Sequence, residues 1–246
     1  MRIALFADIH GNREAFEACL ADARRRGAER QGFLGDIVGY GADPAWCVDT
    51  VSRACEHGAF ALLGNHDAAV GTPTESMNAA ATRAIEWTRG QLDTAQAAFL
   101  AGLPLERVEG DALFVHANGW APKDWGYVRS AVDAERSLRS TTQRMTFCGH
   151  THVPVLYHMA PLRPPAEHVP VPNRNIPLSL SRRWLAVLGS VGQPRDGNPA
   201  ACYGLLETSP WDLTFVRVPY DTAAAAEKIR KAGLPESLAT RLQRGL

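Results

Sequence analysis

The feature that most constrains this chain is an alternation in its first 65 residues. The runs "RIALFAD" (2–8), "RQGFLGD" (30–36) and "AFALLGN" (59–65) are short and apolar, and each ends in a polar residue. Between the first two, Ala15, Phe16, Cys19, Leu20 and Ala23 recur at helical spacing, which predicts a helix over 12–26. Between the last two, Asp43 followed by Pro44 fits an N-cap and first helical position, with a helix to about residue 55. Strand, helix, strand, helix, strand predicts a parallel sheet covered by helices.

Further along, Thr72, Pro73 and Glu75 fit a capping box opening a helix that ends near Gly90, followed by a second helix over 94–101. Two strands are expected around the Glu109-Gly110-Asp111 turn, and a helix over 129–140. "RMTFCGH" (144–150), "VPVLYHM" (153–159), "RWLAVLGSV", "ACYGLLE" and "LTFVRV" read as strands, and Asp221 caps a last helix over 222–232. Residues 161–177 hold six of the sixteen prolines and are expected to form a loop or surface excursion. There is no internal repeat, so the 246 residues are expected to form one domain, 1–246, with two packed sheets.

Five of the eight histidines, His10, His66, His116, His150 and His152, fall at the carboxyl ends of expected strands, beside Asp8, Asp36 and Asn65. Open α/β sheets collect their ligand sites on that edge. The i, i+2 spacing of Asp8 and His10, and of His150 and His152, aims both members of each pair the same way if the chain is extended. Carboxylate, imidazole and amide oxygens suit Mn, Fe, Zn or similar ions. Cys19, Cys47, Cys55, Cys148 and Cys202 contain no Cys-x-x-Cys pair, which argues against both a thiolate site and a disulfide framework and for a reducing cytoplasm. The N-terminal apolar stretch is too short for a signal peptide or membrane span. Lysine plus arginine balances aspartate plus glutamate at 26 each, so neither a membrane surface nor an extended nucleic-acid surface is expected as a partner.

"DIHGN" (8–12), "GDIVGYG" (35–41), "GNHD" (64–67), "VHAN" (115–118) and "GHTH" (149–152) resemble, in order, the motifs of the calcineurin-like metallophosphoesterase superfamily. "GSVGQPRDG" (189–197) resembles a downstream loop of its small bacterial phosphodiesterase-type members. The resemblance implies a four-layer α-β-β-α sandwich with two packed mixed sheets. It implies two divalent transition-metal ions (Mn, Fe, Zn, Ni or Co), the first held by Asp8, His10, Asp36 and His152. Asp36, Asn65, His116 and His150 would hold the second, with Asp36 bridging. His66 becomes a general acid or transition-state stabiliser, with Asp67 orienting its imidazole. Arg195 and Asn12 become substrate-binding residues, Arg195 through bidentate contact with phosphate; helix capping competes for Asn12.

The implied activity is hydrolysis of phosphoric esters, diesters by family habit, through in-line attack of a metal-activated water on phosphorus, with a small phosphoester or nucleotide as substrate. Alternatives within the same fold are symmetrical dinucleoside tetraphosphate hydrolysis and a non-catalytic protein-binding scaffold. Two departures from the relatives stand out: Ala117 follows His116 where glycine is common, and Val187-Leu188 stand where Asn-Pro is common.

Overall fold

Side-chain alternation along β1 (Arg2–Phe6) sets the layers. Ile3 and Leu5 enter an apolar layer shared with a second sheet, whereas Ala4 and Phe6 enter a layer shared with helices. A strand buried on both faces reads as an unbroken apolar run, as this one does. The computed structural model describes residues 1–72 and 77–246. After β1 come α1 (Arg13–Arg25), β2 (Arg30–Phe33), α2 (Pro44–Glu56), β3 (Phe60–Ala61), α3 (Asn65–Gly71), α4 (Ala79–Arg89) and α5 (Thr94–Ala101). The middle of the chain supplies β4 (Glu106–Glu109), β5 (Ala112–Val115), α6 (Ala131–Arg139), β6 (Met145–Cys148), β7 (Val155–Met159), β8 (Ala166–His168) and β9 (Asn175–Pro177). It ends with β10 (Arg183–Val187), β11 (Ala201–Thr208), β12 (Trp211–Val218), α7 (Thr222–Lys231) and α8 (Glu236–Arg244).

Among the described residues these strands form two six-stranded mixed sheets, ordered β3-β2-β1-β11-β12-β9 and β4-β5-β6-β10-β7-β8. β1, β2 and β3 are parallel in the first sheet, and β5, β6 and β10 in the second. Between the sheets, Phe60, Phe114 and Phe147 form a continuous aromatic row with centroids 5.0 and 5.3 Å apart. α1 and α2 cover the outer face of the first sheet, and α6 covers that of the second through Ala134 and Leu138. The result is the expected α-β-β-α sandwich. No helix among the described residues is long and apolar enough to cross a membrane.

Four local expectations differ from the structure. The third strand is only Phe60–Ala61, and Asn65 and His66 open α3 instead of ending a strand. α4 starts at Ala79, capped by the Asn78 side chain at 3.0 Å; the Pro73 and Glu75 part of the expected capping box lies outside the described residues. The proline-rich segment is not all loop: β8 adds to β7 and β9 adds to β12, each at a sheet edge. Edge strands tolerate proline because one side needs no ladder hydrogen bond. Finally, α8 buries Leu238, Ala239 and Leu242 where no element was expected.

Candidate metal centre

Asp8 and His10 follow β1, Asp36 follows β2, Asn65 and His66 open α3, His116 follows β5, and His150 and His152 follow β6. The carboxyl ends of both parallel strand groups therefore meet, and seven of these side chains converge. Nε2 of His10 lies 3.1 Å from Nε2 of His152 and 3.6 Å from Oδ2 of Asp36. Nε2 of His152 lies 3.4 Å from Oδ1 of Asp8. Nε2 of His116 lies 3.1 Å from Nδ1 of His150, 3.1 Å from Oδ1 of Asn65 and 3.4 Å from Oδ2 of Asp36. The donor atoms of Asp8, His10, Asp36 and His152 are all within 4.8 Å of one another, as are those of Asp36, His116 and His150.

The backbone is strained to achieve this. Asp8, His10, Asp36, His150 and His152 have φ between 52° and 68°, a left-handed region that side-chain-bearing residues seldom enter. Each such residue costs about 1–3 kcal/mol and persists only where its surroundings dictate it. Here the β1–β2 ladder continues past the strands, through Asp8 N–H to Gly35 O at 3.1 Å, His10 N–H to Asp36 O at 2.9 Å and Gly11 N–H to Ile37 O at 2.9 Å. Extended i, i+2 geometry is thus not what aims Asp8 and His10; two left-handed residues do. Close approach also dictates two glycines. A β-carbon on Gly64 would fall 2.1 Å from the Asp36 amide nitrogen, and one on Gly149 would fall 2.5 Å from Oδ2 of Asp8.

Each converging imidazole is held from behind by a carbonyl. Nδ1 of His10 faces Val38 O at 3.0 Å, Nδ1 of His116 faces Leu34 O at 2.8 Å, and Nδ1 of His152 faces Gln193 O at 2.7 Å. Nε2 of His150 faces Trp125 O at 2.9 Å. A carbonyl only accepts, so the ring nitrogen facing it carries a proton and the other is left to present a lone pair inward. The inward nitrogens then meet in pairs 3.1 Å apart. Electron-rich atoms at that distance repel unless a cation joins them, so the donor set fits a metal.

The electrostatics agree. Without an ion, burial pushes Asp8 up and drives His10 and His152 well below the usual imidazole range; it takes His150 down to about 3. Burial also disfavours His116 as a cation, but Asp36 overcomes this and holds it up at about 9. In return, His116 keeps Asp36 ionised against its own burial. A proton on His116 therefore stands where a metal's charge would.

His66 is buried, its ring centroid 4.8 Å from that of His10 and 4.5 Å from that of Tyr40, and its Nδ1 has no hydrogen-bond partner among the described residues. Asp67 forms no hydrogen bond with that ring among the described residues. Its Oδ1 accepts from the amides of Ile37 (2.9 Å) and Val38 (3.1 Å), and its Oδ2 from that of Gly64 (3.0 Å). The resemblance implies that Asp67 orients the His66 imidazole; in the structure its carboxylate instead ties α3 to the loop after β2. Asn12 likewise has its amide committed, to the Ala15 amide, Gly192 O and Tyr220 Oη. It caps α1 and pins the Gly192 loop, leaving no free donor for phosphate.

Arg195 is half-buried, bonded to Oε1 of Gln193 at 2.8 and 3.2 Å, with its guanidinium 5.7 Å from the Tyr40 ring centroid. Burial is the main force against protonation of His10, His66 and His152, and the nearby Arg195 charge adds to it. Ala117 has no positive φ, so alanine fits there, and Val187 and Leu188 are core residues.

One part of the site is announced by no motif in the sequence. Trp125, at φ 54°, aims the carbonyl that holds His150. The Tyr127 ring stacks on His150 with centroids 4.1 Å apart and planes 15° apart, and the Arg129 guanidinium sits 3.9 Å from the Tyr127 centroid. The available signal was two tryptophans and a tyrosine in "NGWAPKDWGY" (118–127).

Comparison with known proteins places the chain in a family. The family model for the calcineurin-like phosphoesterase superfamily domain matches residues 1–210. An uncharacterized protein of Methanocaldococcus jannaschii is 36% identical over 248 residues, covering 98% of this chain and 96% of that one. The crystal structure of a metallophosphoesterase from Sphaerobacter thermophilus matches with TM-score 0.89 and 37% identity, over 100% of this chain and 99% of that one. A hypothetical protein from Pyrococcus horikoshii shares the fold at TM-score 0.81 and 18% identity, over 100% and 98% of the two chains. Fold and centre together define a metal-dependent phosphoesterase. The chain belongs to the calcineurin-like phosphoesterase superfamily.

Proposed function

We propose that the chain hydrolyses phosphodiesters with two divalent ions. Asp8, His10, Asp36 and His152 would hold one, and Asp36, Asn65, His116 and His150 the other. The observation that carries this reading is the position of Asp36: Oδ2 lies 3.6 Å from Nε2 of His10 and 3.4 Å from Nε2 of His116, within reach of both donor sets. Mixed nitrogen and oxygen donors suit Mn, Fe, Zn, Ni or Co. When bound, such ions supply Lewis acidity to the phosphoryl group and acidify the attacking water.

The remaining steps belong to side chains. Arg195 offers its guanidinium to a phosphoryl oxygen, while Gln193 restrains its direction. His66 stands beside the first donor set, where its imidazole gives a proton to the leaving oxygen or a hydrogen bond to the transition state. Its amide donates to Oδ1 of Asp36 at 2.8 Å, which fixes the shared carboxylate in the same stroke. The diester preference rests on likeness to the small bacterial members. The test is turnover of a chromogenic bis-aryl phosphate, against the aryl monoester, by protein reconstituted with Mn, Ni, Co or Zn. Diester cleavage should exceed monoester cleavage; no turnover with any ion overturns the function, and a monoester preference overturns the diester assignment.

A further inference from the structure

Five arginines, Arg139, Arg144, Arg163, Arg182 and Arg183, line one concave pocket of about 410 Å³ in the second sheet's half of the molecule. It lies at the end of that sheet away from the metal centre. Arg144 precedes β6 and His150 follows it, so the four residues of β6, at ~3.3 Å each, separate them by more than ~13 Å. No acidic residue lines the pocket among the described residues. At its margin, Arg139 pairs with Glu135 at 2.7 Å and Arg144 approaches Asp111 at 4.0 Å. Of the five, only Arg139 and Arg144 stand in an ion pair among the described residues.

The cluster is built as well as charged. Arg183 donates to the carbonyls of Thr141 and Gln143 at 2.5 and 2.7 Å, and Arg144 donates to that of Leu180. Arg182 donates to Nδ1 of His158 at 2.9 Å. Neutral acceptors order a guanidinium without cancelling its charge. The chain carries as many acids as bases, so this is not the overspill of a basic protein. Like charges gathered in a concavity repel one another, and a bound polyanion relieves that repulsion. Guanidinium forks match phosphate oxygens in geometry as well as in charge.

We infer that this pocket is a second, non-catalytic binding site for a small multiply phosphorylated anion, of the kind presented by inorganic triphosphate or a nucleotide's phosphate chain. A phosphorylated lipid headgroup offers the same chemistry, and Leu162, fully exposed at the pocket's rim, keeps that source in the test.

Equilibrium dialysis of the metal-loaded protein against inorganic triphosphate reads the site directly. Two classes of binding are expected, one at the metal centre and one here. Arg163→Gln with Arg182→Gln should weaken one class at least tenfold, while bis-aryl phosphate turnover and its inhibition by triphosphate stay as in the unaltered protein. Arg163→Gln alone, at an exposed side chain, should weaken it severalfold without disturbing the fold. Two classes of unchanged affinity in the double variant overturn the proposal. So does an equal loss in the control Arg25→Gln with Arg83→Gln, two exposed arginines elsewhere. Sedimentation with phosphatidylcholine vesicles, with and without cardiolipin, decides the source. Cardiolipin-dependent sedimentation that the double variant loses, without binding of free triphosphate, assigns the anion to a lipid headgroup; no binding in either arm overturns the site.

Discussion

His66 differs from the other histidines of the centre in what its ring meets. They lean on carbonyls and aim nitrogens at one another, whereas His66 packs on His10 and Tyr40 with Nδ1 unpaired. His66→Ala should therefore lower kcat by about 10²–10⁴-fold with metal content unchanged, measured by turnover beside elemental analysis. Loss of metal in that variant would make it a ligand instead. Asp67 accepts three backbone amides and forms no hydrogen bond with the His66 ring among the described residues. Asp67→Asn should cost about 1–3 kcal/mol in thermal denaturation, with a smaller loss of kcat than His66→Ala. A loss of kcat as large, at unchanged stability, would restore Asp67 as a partner of the imidazole. The identities of the converging residues were legible because their types and order are local facts. The cap that Asn12 places on α1 was legible too, as a local alternative; the partners of Asp67, and the bonds from Asn12 to Gly192 and Tyr220, were not, because they depend on where distant loops come to lie.

Elements with a long period were read well. α1 and α2 carry a clear apolar stripe, and β1 and β6 are unbroken apolar runs. Elements shaped by their neighbours were missed. α3 is seven residues long and starts inside a motif that resembles a turn, and β8 and β9 exist because β7 and β12 offer free edges. The loop at 118–129 belongs with these. Asn118 ties it together through Trp120 N–H, Ala121 N–H and Gly126 O, and it presses Tyr127 onto His150. Groups that orient a metal-binding histidine commonly govern affinity by 10–100-fold. Tyr127→Leu should weaken one of two metal-binding events by about that factor and spare the other, read by titration calorimetry. Equal weakening of both would mean that the loop acts on the fold rather than on His150.

At the scale of the whole molecule, each sheet brings only part of the centre. The first supplies Asp8, His10, Asp36 and the α3 start, the second His116, His150 and His152, and the aromatic row between the sheets fixes their separation. This division was foreshadowed by strand-end motifs in both halves of the sequence, and two packed sheets were expected; the aromatic row that joins them was not legible, since it depends on packing between distant residues. Without an ion, His116 is held protonated by Asp36 in spite of burial, and burial raises Asp8 to about 8. A metal must displace those protons, so its affinity should rise as pH increases toward about 9. Calorimetry in buffers of different ionisation enthalpy should show proton release at neutral pH; pH-independent uptake without release would contradict this charge assignment.

The central claim is that Asp36 joins two metal sites, and counting ions tests it most directly. Elemental analysis of protein reconstituted with manganese should give two ions per chain, falling well below two in Asp36→Asn. One ion per chain at saturation, or two that survive loss of the Asp36 carboxylate with undiminished affinity, would contradict it.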